Sequence, residues 1–343
     1  MNDNDSREGI KRGVKVVDRP FVSFCMTSYN QREYALLGLA AALAQDYPNM
    51  EIIVSDDAST DGSASALLDY VNTLPKSTRT VKVLTSPINC GVQANYEKLF
   101  NEARGELIIG ADGDDISEPS RVRRIVEEWV KGGKKATVIF HDGWKIDGKG
   151  KVIGRVGRRT VDTPLGACMA YSPKVVSDFP PGEVKGGYQD HILGRRGSFI
   201  GDSLFIPECL VRYRVGSGDS SVLTYRRGPE LRSARARVAG FHQSLLDIEY
   251  CRAKGLMTLV GYEKLRKEYL DSIARNQFLI QLIDGRVFRE RLSAYKNLYR
   301  GSFKSGLLKM PYLLPRFLGD FLYGCYDIVR IIFLRRRYSK CRN

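Results

Sequence analysis

The sequence has few of the residue types that build metal clusters and disulfide frameworks. It contains three histidines and seven cysteines, and the cysteines are scattered without a C-x-x-C pair. An odd number of widely spaced cysteines indicates neither a disulfide framework nor a structural zinc site. This cysteine usage fits a reducing cytoplasm.

Long apolar runs are also missing. Residues 1–19 are polar and charged, with no apolar segment of the kind found in a secretory signal, and no uninterrupted apolar run reaches the length of a membrane span. We therefore expect neither an ordinary secretory signal nor an integral membrane protein.

The charge balance indicates which classes of binding partner are favoured. The chain has 54 Lys and Arg against 39 Asp and Glu, a formal net charge of +15, which favours phosphate-bearing or anionic-surface partners. The basic residues are spread, and no nucleic-acid-binding module is recognised, so we expect no nucleic acid partner. The 343 residues, 43% of them hydrophobic, predict one large domain with an appendage.

Short apolar runs alternate with helical patterns between residues 21 and 141. The strand-like runs are VSFCMTS, EIIVSD, VKVLTS, ELIIGAD and ATVIFH, and the helical patterns cover residues 33–44, 64–71, 92–102 and 121–131. This alternation predicts an α/β fold with a doubly wound, mainly parallel sheet. The runs are apolar almost throughout, as expected of strands covered by helices on both faces.

The rest of the chain changes character twice. Residues 145–227 are irregular and rich in Gly, Pro and Arg, with a strand-like ECLVRYRV at 208–215, and we interpret them as the second half of the same domain. Long helical patterns without strand signals follow. The predicted organisation is a polar tail at 1–19, an α/β domain at 20–227 and a helical C-terminal region at 228–343.

Carboxylates crowd one predicted strand end. In ELIIGADGDDISEP, Asp112, Asp114, Asp115 and Glu118 fall within seven residues, and such a cluster is repulsive unless a cation is present. Asp-x-Asp with oxygen ligands predicts Mg²⁺ or Mn²⁺. The alternative is a polar turn that caps the next helix, with Ser117 or Asp115 as the cap.

A second acidic pair, Asp56 and Asp57, follows another strand in EIIVSDDASTDGS. A carboxylate there can accept hydrogen bonds from a nucleobase or a ribose, and the alternative is an Asx-type turn before the helix at Ala64. Polar residues also follow the first strand, at 27–30. In an open α/β sheet these strand ends meet at one edge, where ligands bind.

The segments VSFCMTSYNQREY, DYPNMEIIVSDDASTDGS and NCGVQANYEKLFNEARGELIIGADGDDISEP resemble the inverting family 2 glycosyltransferases of the GT-A fold, of the bacterial envelope polysaccharide type. The resemblance covers about residues 20–225. It implies that the donor nucleotide is bound by Thr27, Ser28, Tyr29, Asp57 and Asp112. It also implies that the metal is held by Asp114 and Asp112, and that a small-residue wall beside the donor sugar is formed by Gly166 and Ala167.

Asp190, in GGYQDHILGRRG, stands where this family usually has its catalytic base, so the resemblance implies that it deprotonates the acceptor hydroxyl. Alternatively, Asp190 starts a helix as a cap or pairs with Arg195 or Arg196. The neighbouring His191 is not assigned as a ligand, because a lone histidine is more often an ordinary surface or core residue.

Two features depart from relatives of the family. A histidine often follows the Tyr-Arg pair near the end of the domain, but here Tyr213, Arg214 and Val215 are followed by Gly216, which puts metal ligation from that loop in doubt. Processive members carry Gln-x-x-Arg-Trp and several spanning helices. This chain has neither, so we expect transfer of one sugar per event.

We therefore expect a metal-dependent glycosyltransferase that uses a UDP- or dTDP-type nucleotide-sugar donor. The expected acceptor is a lipid-linked saccharide in cell-surface polysaccharide biosynthesis. The turn after the first strand, TSYNQREY, has no glycine, which disfavours a dinucleotide-binding oxidoreductase. The alternative from another class is a catalytically silent scaffold that binds nucleotide or membrane.

The C-terminal arm predicts an amphipathic helix. Apolar residues recur at helical spacing, and the arm ends in a basic run; the apolar positions are Leu318, Phe321, Leu322, Cys325, Ile328, Val329 and Ile332. Such an arm fits the anionic inner face of the cell membrane, with the protein cytoplasmic and peripheral. The alternative is a helix packed on its own catalytic domain. Both a monomer and an oligomer are compatible with the sequence.

Overall fold

The computed structural model describes residues 19–75, 79–216 and 227–284, with residues 290, 292, 293 and 297. The expected tail, up to residue 18, and the expected membrane arm at 316–342 lie outside the described residues. The described strands are β1 (Val22–Ser28), β2 (Met50–Asp56), β3 (Val81–Thr85), β4 (Leu107–Asp112), β5 (Ile116–Ser117), β6 (Ala136–Ile146), β7 (Val152–Arg155), β8 (Met169–Tyr171) and β9 (Asp202–Arg214).

The described helices alternate with the strands in the first half of the chain and dominate its end. They are α1 (Arg32–Leu43), α2 (Ser63–Thr73), α3 (Val92–Glu102), α4 (Arg121–Lys131), α5 (Lys174–Ser177), α6 (Gln189–Ile200), α7 (Arg227–Ala253) and α8 (Leu259–Asp284). The predicted bounds of α3 and α4 agree with the structure, and those of α1 and α2 differ by one or two residues.

A single sheet in the order β3-β2-β1-β4-β8-β6-β9-β5 forms the centre of the fold, with β7 paired to β6. β1 to β4 are parallel neighbours, as predicted for a doubly wound sheet. β8 lies antiparallel between β4 and β6, and β6 and β9 then run parallel to each other. The mainly parallel α/β fold is confirmed, with its antiparallel pairings in the second half.

The apolar strands are buried on both faces. Phe24 and Met26 of β1 belong to one core cluster, which includes Leu39 of α1 and Ile125 of α4. Cys25, pointing the other way from the same strand, belongs to a second cluster. Because side chains alternate between the faces of a strand, burial on both faces requires a continuous apolar run.

β6 extends past the predicted run, which ended at His141. It continues to Ile146 through a polar stretch because β9 pairs with it along most of its length. A side chain at Gly143 would lie 3.0 Å from the Val211 carbonyl oxygen, so glycine allows the two strands to approach. No apolar pattern marks this extension in the sequence.

The two long helices α7 and α8 pack against each other and against α6. A buried ion pair joins them to the sheet domain: Arg196 of α6 donates to both carboxylate oxygens of Asp247 in α7, at 2.9 Å each. Arg196 also donates to the Pro180 carbonyl oxygen at 3.1 Å. The domain boundary near residue 228 stays a prediction, and α7 begins beside it.

Within the described residues there are neither disulfide bonds nor helices suited to cross a membrane. Cys25, Cys90, Cys168, Cys209 and Cys251 are free thiols there. Among those residues no helix combines the length and the apolar character required to cross a bilayer.

We predict that Asp247→Ala lowers the free energy of unfolding by about 3 kcal/mol, because it leaves the buried Arg196 guanidinium without its counter-charge. Asp284→Ala is the matched control, since it removes an exposed ion pair with Arg235 at 3.0 Å and should cost about 1 kcal/mol or less. Urea titration measures both. Equal losses in the two variants would contradict the anchoring role of the buried pair.

Candidate active site

The candidate site lies where β1, β2 and β4 end at the same edge of the sheet. The parallel ladder places Thr27 of β1 opposite Asp112 of β4, and Ser28 opposite Asp56 of β2. The Thr27 hydroxyl donates a hydrogen bond to Asp112 Oδ1 at 3.2 Å. Strand register therefore brings together two residues that lie 85 positions apart in the chain.

Asp112 sits among hydroxyls and other carboxylates. The buried Tyr96 hydroxyl of α3 donates to Asp112 Oδ1 at 2.8 Å. Burial first, then the charge of Asp114 and, to a smaller extent, that of Asp190 raise the pKa of Asp112 to about 6, while the two hydroxyl hydrogen bonds oppose the rise. Asp112 therefore experiences repulsion from two other acids, one in its own turn and one in α6.

The Asp115 side chain points into the protein and does not cap a helix. Its Oδ1 accepts from the backbone N–H of Arg214 at 2.7 Å, while its Oδ2 is buried with no hydrogen-bond partner in the described part of the chain. Burial, followed by the charges of Asp114 and Asp112, raises the pKa of Asp115 well above its usual value. The helix α4 begins with Ser120 as N-cap, without a side-chain cap hydrogen bond, so the capping alternative for Ser117 or Asp115 is wrong.

Gly113 makes the acidic turn fit against the end of β1. A Cβ atom there would lie 2.8 Å from the Thr27 carbonyl oxygen and 2.7 Å from Gln31 Oε1. Cβ atoms do not approach oxygen atoms this closely in real proteins, so a side chain at this position would push the turn away from β1. The glycine keeps the Asp-x-Asp turn beside Thr27.

Two buried arginines hold the backbone around the acidic turn. The Arg121 guanidinium donates to the carbonyl oxygens of Gly110 and Ala167, at 2.7 and 2.9 Å, and its Nε donates to His141 Nε2 at 3.1 Å. The Arg214 guanidinium donates to the Asp114 carbonyl oxygen at 2.9 Å and lies 4.3 Å from the Tyr34 ring centroid.

Neither arginine was predicted from the sequence to belong to the site. A signal existed for Arg121, because it shares the buried face of α4 with Ile125 and Trp129 at spacings of four and eight residues. An arginine on such a face must find partners for its donors, which indicates a structural or functional role. For Arg214 the signal was its place in the Tyr-Arg pair of the resembled family, which was used only to locate a missing histidine.

Asp57 lies at the predicted place, but its carboxylate is engaged. Its two oxygens accept from the backbone N–H groups of Cys90 and Gly91, at 2.8 Å each, which joins the end of β2 to the start of α3. Neighbouring acids form the turn that was the alternative for this segment: Asp56 accepts from Ser59 and Asp61 accepts from Ser63. Contact of Asp57 with a nucleobase stays a prediction.

The side chains of the first-strand group differ in exposure; this group is Thr27, Ser28 and Tyr29. The Thr27 side chain faces Asp112, and the Ser28 side chain is buried. The Tyr29 ring is 47% exposed. The following residue, Asn30, has a left-handed backbone and accepts from the Thr60 backbone N–H at 2.8 Å. Thr27 and Tyr29 are therefore the accessible members of this predicted group.

The predicted small-residue wall forms a short 3₁₀ turn, Gly166–Cys168, before β8. A Cβ atom at Gly166 would lie 3.6 Å from the Tyr96 hydroxyl and 3.7 Å from Asp190 Cβ, so a side chain there would occupy the space between these groups. Ala167 is fully buried and is held through its carbonyl oxygen by Arg121. Gly166 thus faces the carboxylates, while Ala167 supports it from behind.

Asp190 lies in the first turn of α6 and faces Gly166. Its Oδ1 accepts from the His191 backbone N–H at 2.8 Å, and Gly166 provides a further backbone hydrogen bond. Burial raises its pKa above the ordinary value despite these hydrogen bonds. The ion-pair alternative is not seen here, because Arg195 donates to Ser244 and Arg196 donates to Asp247.

His191 turns away from the carboxylates. Its ring centroid lies 5.7 Å from that of Tyr188, and burial, with the charges of Arg195 and Arg237, lowers its pKa to about 4. Within the described residues, no three side chains among His, Cys, Asp and Glu are grouped as a metal centre. His191 is therefore neutral near pH 7 and lines a neighbouring cavity.

That cavity has a volume of about 300 Å³ and lies between α6, α7 and α8. Aromatic and charged side chains line it together, among them Tyr188, His191, Arg195, Arg237, Phe241 and Tyr269. The Arg195 guanidinium stacks 4.2 Å from the Phe241 ring centroid. A second cavity of about 490 Å³ shares Arg195 and Tyr269 and continues to Leu256 and Met257.

Residues 23–164 match the family model described as "Glycosyl transferase family 2". This match covers less than half of the chain and lies within the predicted α/β domain at 20–227. A relative from Escherichia coli, the putative colanic acid biosynthesis glycosyl transferase WcaA, is 33% identical over 105 residues, which are 31% of this chain and 36% of that protein. The chain spans about a third of the length of the curated relatives it matches first.

Two solved glycosyltransferases share the fold. S. aureus TarS, in complex with UDP-GlcNAc, has a TM-score of 0.53 at 15% identity, with 83% of this chain and 92% of that chain covered. The mannosyltransferase PcManGT from Pyrobaculum calidifontis, in complex with GDP-Man and Mn²⁺, has a TM-score of 0.54 at 16% identity, with 91% and 88% covered. The GT-A fold expected from the sequence is thus confirmed.

We predict that Asp112→Asn stabilises the metal-free protein at about pH 8, by on the order of 2 kcal/mol, and has little effect at about pH 4. The folded-state pKa of Asp112, about 6, is above the ordinary value of 3.8, so the folded protein favours its protonated form. The stability contributed by protonation is complete below 3.8 and is lost as the pH rises through about 6. Asparagine removes the buried charge that causes this loss.

Thermal unfolding in the presence of a chelator, measured across this pH range, tests the prediction. Asp69→Asn is the control, because Asp69 is exposed on α2 and its replacement should leave the pH profile unchanged. A variant Asp112→Asn that is less stable than the parent protein at high pH would contradict the proposed repulsion.

Proposed function

We propose that this protein is a metal-dependent, inverting glycosyltransferase that transfers one sugar from a UDP- or dTDP-type donor to a hydroxyl of a saccharide acceptor. The observation that carries the proposal is the approach of two carboxylates to the small-residue turn at Gly166. A Cβ atom there would lie 3.7 Å from Asp190 Cβ and 3.6 Å from the Tyr96 hydroxyl, which donates to Asp112. Burial, then the charges of Asp114 and Asp190, raise the pKa of Asp112, which supports one shared site.

The acidic turn fits a divalent cation. Three carboxylates at 112, 114 and 115 are close enough to raise the pKa of Asp112 and Asp115, and the buried Asp115 Oδ2 has no hydrogen-bond partner among the described residues. Asp114 and Asp112 would hold Mn²⁺ or Mg²⁺, with oxygen ligands as those ions prefer. When bound, the cation neutralises the diphosphate leaving group. The mannosyltransferase PcManGT binds Mn²⁺ on the same fold.

The chain orients the donor from two sides. Thr27 and Tyr96 fix the Asp112 carboxylate through their hydroxyls, which leaves its other oxygen to face the donor. Gly166 leaves room beside Asp190, where a sugar can approach the backbone. Arg121 and Arg214 hold this backbone in place, so that the donor meets a preorganised surface.

Asp190 is the proposed base. Its carboxylate accepts the proton of the acceptor hydroxyl as the oxygen attacks the anomeric carbon, on the face opposite the departing nucleoside diphosphate, which inverts the anomeric configuration. The raised pKa of Asp190 brings it closer to neutral pH, which improves its efficiency as a base. The backbone N–H of His191 orients the carboxylate.

The cavity between α6, α7 and α8 is the proposed place of the acceptor. It adjoins the start of α6, which carries Asp190, and its aromatic rings and polar groups suit a saccharide. WcaA is named for colanic acid biosynthesis, which supports an acceptor in cell-surface polysaccharide assembly. A lipid-linked saccharide, reached from the cytoplasmic face of the membrane, fits this role.

We predict that Asp190→Asn reduces kcat at least about 10²-fold, because the amide cannot take up the acceptor proton. Asp114→Asn should reduce turnover by a similar factor and weaken the dependence on Mn²⁺, since it removes a cation ligand. Nucleotide release with a panel of nucleotide sugars and saccharide acceptors measures both, with and without chelator. Asp69→Asn is the matched control and should retain full turnover.

Two outcomes would contradict the proposal. Wild-type turnover in Asp190→Asn would show that Asp190 is not the base. Full activity after chelation would show that the reaction does not require a metal ion. Absence of turnover with every donor would favour the alternative of a catalytically silent scaffold with this fold.

The basic arm at residues 316–342 is proposed to hold the protein on an anionic membrane surface. We predict that a chain truncated after Pro315 partitions on the order of tenfold less to anionic vesicles, because it lacks the amphipathic sequence pattern and the basic run that follows it. Vesicle sedimentation measures the change. Partitioning as strong as that of the full-length chain would contradict this role of the arm.

A further inference from the structure

The turn between α7 and α8 exposes apolar side chains. Leu256, Leu259 and Val260 are 51%, 58% and 81% exposed, and they lie within five consecutive residues. We call this segment, residues 255–260, the hairpin tip. Single exposed apolar residues are common, but three at the end of a helical hairpin form a projecting apolar surface.

The backbone of the hairpin tip is fixed. Gly255 has a φ of +71°, and Leu256 N–H donates to the Cys251 carbonyl oxygen while Gly255 N–H donates to that of Arg252, which closes α7 in a Schellman motif. Thr258 then caps α8 by accepting from the Gly261 N–H at 3.1 Å. The apolar side chains are thus presented by a turn with satisfied hydrogen bonds.

Met257 anchors the tip from inside. It packs against a buried cluster formed by Ile248, Tyr262 and Tyr269. Its neighbours Leu256 and Leu259 remain outside this cluster because the chain reverses direction between the helices. The hairpin tip therefore exposes its apolar residues without losing its own packing.

Cations surround the hairpin tip. Residues 252–267 contain five exposed basic side chains and one acidic side chain, Glu263; the basic residues are Arg252, Lys254, Lys264, Arg266 and Lys267. Val260, Lys264 and Lys267 share one face of α8 at helical spacing. The Arg252 guanidinium lies 4.7 Å from the Tyr262 ring centroid, which holds this charge beside the tip.

From this arrangement we propose that the hairpin tip docks on an anionic lipid bilayer, independently of the C-terminal arm. Leu256, Leu259 and Val260 enter the interface, and the surrounding cations contact lipid phosphates. A second copy of the chain fits less well, because a symmetric contact at the tip would bring the two sets of cations together. The positive charge around the tip therefore favours an anionic bilayer over a second copy of the chain.

Docking at the tip would also orient the cavities. The cavity of about 490 Å³ is lined by Leu256 and Met257 at one end and shares Arg195 and Tyr269 with the cavity beside α6. A docked tip therefore places the Leu256 end of the cavity of about 490 Å³ at the bilayer surface. Use of this cavity by a lipid-linked acceptor rests on the proposed function, whereas docking itself does not.

A tryptophan at the tip reports on docking in the full-length chain. With vesicles of phosphatidylglycerol and phosphatidylcholine in equal parts, the Leu259→Trp variant should show blue-shifted emission and quenching by brominated acyl chains. Leu270→Trp, at an exposed site farther along α8, is the control and should show neither change. Vesicles of phosphatidylcholine alone should produce a much smaller response, because they lack the negative charge.

Sedimentation with the same vesicles measures the contribution of each part. Replacement of Leu256, Leu259 and Val260 by Ser should lower partitioning on the order of tenfold, and Lys264→Gln with Lys267→Gln should lower it roughly fivefold per charge. The controls are Leu68→Ser with Leu270→Ser, and Lys149→Gln with Lys151→Gln, all exposed and away from the tip. Unchanged melting temperatures show that the tip variants fold.

An unchanged Leu259→Trp spectrum on vesicles that carry the protein would overturn the proposal, since another surface would then hold the membrane. Loss of a dimer in the Ser variant, without an effect on partitioning, would assign the tip to a second copy and equally overturn it. Turnover without vesicles, for which Asp114 and Asp190 are the proposed groups, should be unaffected by Lys264→Gln with Lys267→Gln, because neither lysine lines a cavity. Failure of docking and failure of the transferase activity are therefore distinguishable.

Discussion

The guanidinium of Arg121 is fully buried at the junction of α4, β4 and the turn before β8, and the candidate site depends on the contacts it makes there. It connects α4 to the carbonyl oxygens of Gly110 in β4 and Ala167 before β8, and burial lowers its pKa without depriving it of hydrogen-bond acceptors. Carbonyl oxygens offer partial negative charge to a group that would otherwise be costly to bury. The strand that bears Asp112 and the turn that bears Gly166 are thus fixed relative to each other.

His141 completes this junction as a neutral partner. Burial, and then the charge of Arg121, lower the pKa of His141 well below its usual value, so the ring can accept from Arg121 Nε. On the other side of the junction, burial first and then mutual repulsion raise the pKa of Asp112 and Asp115. Carboxylates held together in this way suit the cation site and the proton transfer proposed above.

The helical region completes the surroundings of Asp190. Arg195 and Arg196 follow the proposed base on α6, and both reach into α7, where they bond to Ser244 and Asp247. The first turn of α6 is therefore held from the helical side as well as from the sheet. The cavities and the hairpin tip belong to the same helical region, which links the acceptor side of the proposed transferase to the proposed membrane contact.

Much of the sheet follows from local patterns in the sequence. The apolar runs at β1, β2 and β4 required helices on both faces, and strand polarity then placed Thr27, Asp57 and Asp112 at one edge. The bounds of α3 and α4 followed from helical periodicity alone. The roles proposed for Asp114 as a metal ligand and for Asp190 as the base came from the resemblance to a family.

Local sequence patterns were enough to predict which strands are buried and which acids follow them, because side-chain alternation and strand ends are local properties. Long-range packing was needed to bring β8 between β4 and β6, to turn Asp115 inward, and to place Arg121 and Arg214 against the acidic turn. These features depend on pairings between residues roughly 50 to 100 positions apart. Such pairings are set by the packing of the whole domain, and no local pattern encodes them.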